Sequence, residues 1–597
     1  HVQQYNNFNN GIAKLFRVIA GDGGQALANA LTIPDWFFEG DAVYAETAFT
    51  QGGRGRRPHF LSAYNSLWQA GKDYSWLKLR NGSYKDFVPN HYHTGYLLVN
   101  YGYGEYGNNF WKNVTQNASA FKGLFYPFQK GVKRFSGKDF KTFRKEAFQF
   151  YQKEIKTLDT IAKQKTVTHY YFPKAAGGDS VIYLKESYNA IPAFYVQSKG
   201  KEKKLALKSV STDDWLSYKS GNITYTAFAT HPRWSLTNYS DIVVLDIGSG
   251  KEKRITRKGR YFTPSFSPDG KTMVSVYIND ALQTELHILN SADGTILKKL
   301  NARDGSYFIH PLFVNAEEVV VGIRSTEGRM ALHLLKLQDG SATELINAGF
   351  HTLGYPSVYN NHIYFTASFN GNDDVYAFDL KERNLSQLTS GQTGSYYPEV
   401  QGDSLWFSTY NAYGLQLTKR DLRRLQWSPV NMVQKETVVE PYKVAQSDAQ
   451  LLPVDNREFK ATKYKKSTGL INLHSWDPGL TLYSNNILNT LATELYYMYN
   501  ESEKSHTAGW SASYGGWFPV INSGVEYVFN RQVEEPGRTL TFNDFEARIG
   551  YNIPLNFTKG KTLKGLNFGS NVVYNRTLPT GETKDIISAQ NNSYLHH

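Results

Sequence analysis

The sequence predicts a multidomain chain with a mainly α N-terminal region, a six-bladed β-propeller and a partial antiparallel β-barrel. Three observations carry that expectation. Apolar residues recur with a period of about 3.6 through the first region. A Pro…Asp-Gly unit then repeats every 40 to 50 residues or so. Beyond it, strands of about nine to eleven residues alternate polar with apolar or aromatic positions. The boundaries that follow are 1–165, 166–435, a linker at 436–465, and 466–597.

A chain of 597 residues holds three or four domains of roughly 100 to 200 residues each. Cysteine is absent, which excludes a disulfide framework and any thiolate metal site. No run of eighteen apolar residues occurs, so a transmembrane helix is excluded from these residues and a transmembrane barrel is not. The net charge of +13 is dispersed over short patches at 54–57, 201–204, 251–260, 420–424 and 463–466, each read as a solvated loop or linker. No nucleic-acid motif accompanies them, so nucleic acid is not an expected partner, and an anionic membrane face ranks above it.

In the first region, residues 13–30 have helical spacing interrupted by the glycines at 21–24. The segments 61–69, 95–101 and 140–161 keep the same period. Residues 36–47 fit a helix entered through Pro34, with Asp35 as N-cap. On it Glu39, Val43 and Glu46 share one face, four and then three residues apart. Gly40, Ala42 and Ala45 leave room for a neighbouring helix.

The run Ile33-Pro34-Asp35-Trp36-Phe37-Phe38-Glu39-Gly40-Asp41-Ala42-Val43-Tyr44-Ala45-Glu46-Thr47 resembles the third-ligand helix of gluzincin metallopeptidases, the aminopeptidase-N-like and thermolysin-like group. His1-Val2-Gln3-Gln4-Tyr5 looks like the tail of the His-Glu-x-x-His helix that precedes it there. The resemblance implies a zincin-like subdomain whose numbering opens on the second histidine ligand, with the first histidine and the general-base glutamate before residue 1. It implies His1 and Glu39 as ligands of Zn2+, and Glu46 as a carboxylate that orients a histidine ring. The segment between His1 and Glu39 is longer than is typical of the group, which suits an inserted helix. The alternative for each residue alone is a terminal histidine and an exposed helical glutamate.

A second stretch, from Tyr84 through His91-Tyr92-His93-Thr94-Gly95-Tyr96 to Trp111, looks like the Tyr-x-x-Gly-Tyr-x-x-Val-x-Tyr helix that follows the metal site in such peptidases. By that resemblance Tyr92 and Tyr96 are candidates to donate to an oxyanion, with His91 and His93 behind them. Simple aromatic core packing is the alternative for each.

The clearest repeat is Thr263-Pro264-Ser265-Phe266-Ser267-Pro268-Asp269-Gly270-Lys271, and further copies start around Pro311, Pro356 and Pro398, at intervals of 47, 45 and 42 residues. It resembles the blade repeat of TolB-like propellers. Earlier copies at 242–250 and 180–197 bring the total to about six. Each Asp-Gly is read as a hairpin turn, and no catalytic constellation is expected within the array. Its loops and central channel are expected to bind proteins or peptides.

In the last region the expected strands are 480–488, 490–499, 506–514, 523–530, 540–552 and 566–574. The preceding Leu473-His474-Ser475-Trp476-Asp477-Pro478 resembles the entry to outer-membrane barrels of the surface-antigen class. Six strands do not close such a barrel, so further strands are expected after His597. A soluble β-domain is the competing reading.

Together these expectations describe a zinc metallopeptidase anchored in a bacterial outer membrane, with its soluble domains in the periplasm and the propeller holding substrates or periplasmic and outer-membrane protein partners. Two other functions stay open: a non-catalytic scaffold in outer-membrane protein assembly, and a barrel-based transporter or receptor.

Overall fold

The computed structural model describes residues 2–122, 125–158, 164–431, 439–447, 464–466, 471–474, 477–486 and 488–596. His1, most of the expected linker, and Ser475 and Trp476 of the expected barrel entry lie outside them.

The first region is helical: α1 Val2–Asn7, α2 Gly11–Thr32, α3 Asp35–Phe49, α4 Pro58–Gln69, α5 Trp76–Asn81, α6 His91–Tyr106, α7 Phe110–Ser119, α8 Pro127–Ser136 and α9 Phe140–Gln152. The glycines at 21–24 do not divide α2; Gly21 takes a left-handed φ of 64° inside it. Pro34, not Asp35, stands at the N-cap of α3, and no side chain caps that end. Asn90 caps α6 instead, its side-chain oxygen accepting from the Tyr92 N–H at 3.1 Å.

The helices α3 and α6 cross at Gly40 and Gly95. A Cβ added to Gly40 would lie 2.2 Å from the Gly95 carbonyl carbon, and one added to Gly95 would lie 2.0 Å from the Trp36 oxygen. Beneath the crossing Trp36 packs edge-on to Phe128 at 5.4 Å and stacks on Phe140 at 5.7 Å, in a core shared with Phe37, Trp111 and Phe143. Large aromatic rings are prominent in this core, and such rings bury the most apolar area per residue.

Six sheets follow as a six-bladed propeller: blades at 168–207, 217–254, 261–301, 307–349, 353–387 and 396–421. The first five have four strands each, with Ser428–Pro429 added to the fifth blade, and the sixth has three. Apart from Ser428–Pro429 each blade is made of consecutive strands, and among the described residues no strand from one end of the array completes a blade at the other. The seam between the sixth and first blades is held by Lys174 to Glu399 at 3.0 Å, by the Thr168 N–H donating to Tyr413 O at 2.9 Å, and by Ser408 Oγ donating to Tyr170 O at 2.8 Å.

The repeating prolines mark a shared distortion. In the innermost strand of five blades, the residue before a proline has positive φ: Phe172 (50°), Thr263 (49°), His310 (47°), Tyr355 (57°) and Tyr397 (59°). At each, the pairing with the next strand slips by a bulge. Left-handed backbone in residues with a Cβ costs about 1–3 kcal/mol each, and the packing of the blades must offset it.

Residues 439–447 return to the helical region. Tyr442 and Ala445 are buried in its core, Tyr442 donates to Asn65 Oδ1 at 2.8 Å, and Tyr44 donates to Ala445 O at 3.1 Å. This part of the expected linker is a packed strap.

The last region is one antiparallel sheet of nine strands. The six expected strands are present, three of them much longer than expected as Val520–Glu535, Arg538–Asn556 and Gly565–Pro579, and a further strand, Gln590–His596, follows them. Register puts Leu482, Leu495, Trp510 and Val525 in one row, all exposed, at 38%, 55%, 42% and 44%. The neighbouring residues Glu494, Ser511, Glu526, Glu546 and Arg548 point the other way. There the Tyr496 hydroxyl donates to Glu526 at 2.5 Å and Ser511 donates to Glu494 at 3.4 Å. One face is thus apolar and bare, the other polar and internally bonded.

Candidate functional site between the helices and the propeller

The α3–α6 crossing decides where the expected site residues stand. Glu39, next to Gly40, accepts a hydrogen bond from the Tyr92 hydroxyl, three residues before Gly95. That bond, made by the neutral phenol to a carboxylate, raises the Tyr92 pKa above the usual tyrosine value. Arg54, in the turn after α3, lies over the Tyr92 ring at 5.2 Å. It binds Glu46 with Nε at 2.6 Å, Nη2 at 3.2 Å and its backbone N–H at 3.0 Å. These bonds hold the Arg54 guanidinium above its usual pKa, and Glu39 adds to that field.

The structure thus gathers Glu39, Glu46 and Tyr92 around Arg54. Tyr96 is apart from them. It is fully buried, its hydroxyl has no hydrogen-bond partner among the described residues, and its ring fills the space a Cβ on Gly55 would need. His93 stacks on Phe60 at 4.3 Å, its Nδ1 lies 2.6 Å from Asn90 Oδ1, and burial pushes its pKa down to about 4. His91 lies against the Tyr92 ring at 4.7 Å. The helix α1 runs beside Glu39's helix, with Gln4 Nε2 donating to Phe38 O and Asp41 Oδ2, both at 2.9 Å; His1 itself is outside the described residues.

Next to this cluster the start of α4 seats on one end of the propeller channel. The buried Asp373 carboxylate, from the fifth blade, accepts from Thr352 at 2.8 Å and Tyr396 at 3.1 Å, and from the His59 backbone N–H at the first turn of α4. Ser62 Oγ lies 3.0 Å from the Tyr396 hydroxyl. The His59 ring packs edge-on to Tyr396 at 5.0 Å and to Tyr410 at 5.7 Å. Burial raises the Asp373 pKa and lowers that of His59, which favours a neutral imidazole there.

Deeper in the channel the strained residues meet. Ring centroids run Phe172 to Tyr397 at 4.2 Å, Tyr397 to Tyr355 at 4.7 Å, Tyr355 to His310 at 4.6 Å, His310 to Trp215 at 5.2 Å, and Trp215 back to Phe172 at 5.7 Å. The five rings form a closed circuit that obstructs the axis. Burial lowers the His310 pKa to about 4 and raises that of Tyr355 to about 12, so both are neutral near pH 7.

Sequence reasoning treated the basic patch at 54–57 as a solvated loop. The structure instead binds Arg54 to Glu46 and pairs Arg56 with Glu440 of the strap, because the turn is clamped between α3, α4 and the propeller. The channel aromatics were also missed as a site. Their signal was present: each of Phe172, His310, Tyr355 and Tyr397 stands immediately before a proline.

Among the described residues no three His, Asp or Glu side chains form a group that could hold a metal ion. Glu39 fits a single ligand position, as a half-buried carboxylate oriented by Tyr92. Glu46, engaged by Arg54, orients no imidazole among these residues.

No family model matches the chain. No curated protein sequence does either. Among solved structures, a puromycin-hydrolyzing peptidase of Mycobacterium tuberculosis is 12% identical, covering 53% of this chain and 58% of its own, with a TM-score of 0.33. The tricorn protease is 11% identical over 68% of this chain and 49% of its own, with a TM-score of 0.33. TolB of Acinetobacter baumannii is 11% identical over 54% and 78%, with a TM-score of 0.28. The chain therefore spans little more than half the first of these proteins, and at such scores the likeness bears on no conclusion about function.

Proposed function

We propose that this chain is the propeller-bearing part of a zinc metallopeptidase anchored in a bacterial outer membrane, which hydrolyses peptide bonds of periplasmic or exported proteins and uses its propeller to bind them. The observation that carries the reading is the Gly40–Gly95 crossing, which sets the Glu39 carboxylate against the Tyr92 hydroxyl at the channel end of the propeller. Glu39, together with His1, would hold the metal. When bound, zinc supplies a Lewis acid and a water of pKa near about 7. Of the chain's own groups, Tyr92 orients Glu39 and carries a hydroxyl proton that can be offered to an oxyanion. Arg54, bonded to Glu46 and over the Tyr92 ring, places a positive charge between the two glutamates.

The membrane part of the reading is supported by the two faces of the last sheet. A bare row of Leu482, Leu495, Trp510 and Val525 opposite a bonded polar face is the pattern of strands with lipid on one side and a polar interior on the other. Outer-membrane lipid is the partner this face would take.

Full-length protein extracted from membranes tests the reading. One zinc per chain, with hydrolysis of an unfolded polypeptide that stops with chelator and with Glu39→Gln, is the expected result. Absence of stoichiometric zinc, or hydrolysis unchanged in Glu39→Gln, sinks it.

A second reading, a non-catalytic scaffold in outer-membrane protein assembly, has its own observation. Arg54 engages both Glu46 carboxylate oxygens, which leaves Glu46 unable to steer an imidazole without breaking that pair. Polypeptide binding without hydrolysis would identify it.

A further inference from the structure

The channel of this propeller does not run through. Phe172, Tyr397, Tyr355, His310 and Trp215 close it in a ring of contacts between 4.2 and 5.7 Å, and four of the five hold left-handed backbone to do so. Strain repeated at equivalent positions of separate blades points to a purpose at the axis, because each blade could relax alone. On the helical side His59, Tyr410, Tyr355 and His310 keep part of their surface open although they sit deep between the helices and the blades. They line a vestibule whose floor is the aromatic ring.

A blind, aromatic-floored vestibule admits a chain end and not a chain passing through. Charge then selects which end. Nearby carboxylates are already engaged: Asp373 by Thr352, Tyr396 and the start of α4, Glu46 by Arg54, and Asp214 by Lys208 at 3.2 Å. Two guanidiniums are not. Arg57, at the N-cap of α4 two residues before His59, donates Nε to Gly52 O at 3.1 Å, and Arg324 ends the second strand of the fourth blade, paired with Tyr307 three residues before His310. Among the described residues neither has a carboxylate within ion-pair distance. Partial burial, and after it the like charge of Arg324, lowers the Arg57 pKa. A pair of exposed, mutually repelling guanidiniums at the rim is stabilised by an anion between them, and a planar carboxylate matches their geometry.

We infer that the vestibule binds the carboxyl terminus of a polypeptide, with Arg57 and Arg324 holding the terminal carboxylate and the open surfaces of His59, His310, Tyr355 and Tyr410, above the buried Phe172, Trp215 and Tyr397, receiving an aromatic or apolar last side chain. This rests on the reading of the propeller as a polypeptide-binding element and is independent of zinc.

The test uses the full chain and short peptides ending in phenylalanine, as the free acid and as the amide, with phenylacetate as a small carboxylate of the same chemistry. Binding is read by tryptophan fluorescence and calorimetry. The free acid is expected to bind at least about tenfold more tightly than the amide, the loss of a charge-assisted pair, and than phenylacetate. The double variant Arg57→Gln/Arg324→Gln should bind acid and amide alike, while Tyr397→Ala should weaken both. Equal binding of acid and amide by the wild type, acid preference that survives the double variant, or no binding of either peptide each overturns the inference. Phenylacetate matching the free acid would also overturn it, since the site would then serve small carboxylates. Glu39→Gln and chelator should leave binding unchanged, so failure of the zinc reading and failure of this one are separate results.

Discussion

Gly40 of α3 and Gly95 of α6 meet backbone to backbone, with no room for a methyl group on either. Everything proposed for the Glu39–Tyr92 pair depends on that approach. Gly40→Ala should therefore destabilise the helical region by about 1–3 kcal/mol, the cost of overpacking a filled site. Gly23→Ala is the contrast: it lies in α2 with open space around it and should be neutral or stabilising by up to about 1 kcal/mol. Denaturant unfolding followed by tryptophan fluorescence distinguishes the two.

The Tyr92 hydroxyl is held by Glu39, and the charge of that acceptor is what lifts its pKa. Glu39→Gln should bring Tyr92 down toward the ordinary tyrosine value of about 10. Ultraviolet difference titration, with Tyr92→Phe to identify the signal, would show the shift. An unchanged titration would mean that the two side chains are apart in solution.

Tyr396 links the buried Asp373 to Ser62 of α4. Tyr396→Phe keeps the ring and removes both hydrogen bonds, leaving the carboxylate with one donor fewer. The expected loss is about 1–3 kcal/mol. A double-mutant cycle with Ser62→Ala should show coupling of at least about 0.5 kcal/mol, which independent sites would not.

His310 is neutral when folded, with a pKa of about 4, and an unfolded histidine titrates near about 6.5. Between these values the unfolded chain takes up the proton first, so stability falls as pH drops from about 6.5 to about 4 and is fully present above that window. His310→Phe retains a ring in the circuit and removes the proton site. Its unfolding free energy, from denaturant titrations at each pH, should fall less steeply over that window than that of the wild type, by up to about 1.4 kcal/mol per pH unit.

On the bare face of the last sheet, Leu495→Arg should hinder insertion into lipid vesicles by about 2–4 kcal/mol if placed near mid-bilayer. Ser511→Arg, on the polar face of the adjacent strand, should not. Folding into vesicles from denaturant, scored by gel mobility, compares them. Equal insertion of both would argue for a water-exposed sheet.

The propeller was legible because blade periodicity is written in turns: proline and Asp-Gly recur wherever a strand must bend, whatever lies between. That a helix would approach α3 at Gly40 was legible for a similar local reason, the small residues Gly40, Ala42 and Ala45; that the partner is α6 at Gly95 was not, because the two glycines are far apart in the chain. The strands of the last region were found by period-two alternation, but their ends were not, because alternation runs on through Arg531 to Glu535 past a bulge between Val528 and Arg531. What sequence did not disclose is assembled from distant pieces. Asp373, Tyr396, Ser62 and His59 are separated by up to 337 residues, and none shows a pattern by itself. The continuity of α2 through its glycines was likewise settled by packing, as Ala13, Ala28 and Asn29 are buried, against a local preference worth only about 1 kcal/mol per glycine.

The strap at 439–447 has a mechanical meaning. After leaving the sixth blade the chain is gripped by the helical core at Tyr442 and Ala445 before it reaches the last sheet. The same sheet is also tied to the second blade, where the Gly560 N–H donates to Phe228 O at 2.9 Å, the Asn556 N–H donates to Pro232 O at 2.7 Å and Lys561 pairs with Glu252 at 3.1 Å. A pull on the sheet would therefore enter the molecule at two places, the helical core and the second blade, and neither is the seam between the sixth and first blades.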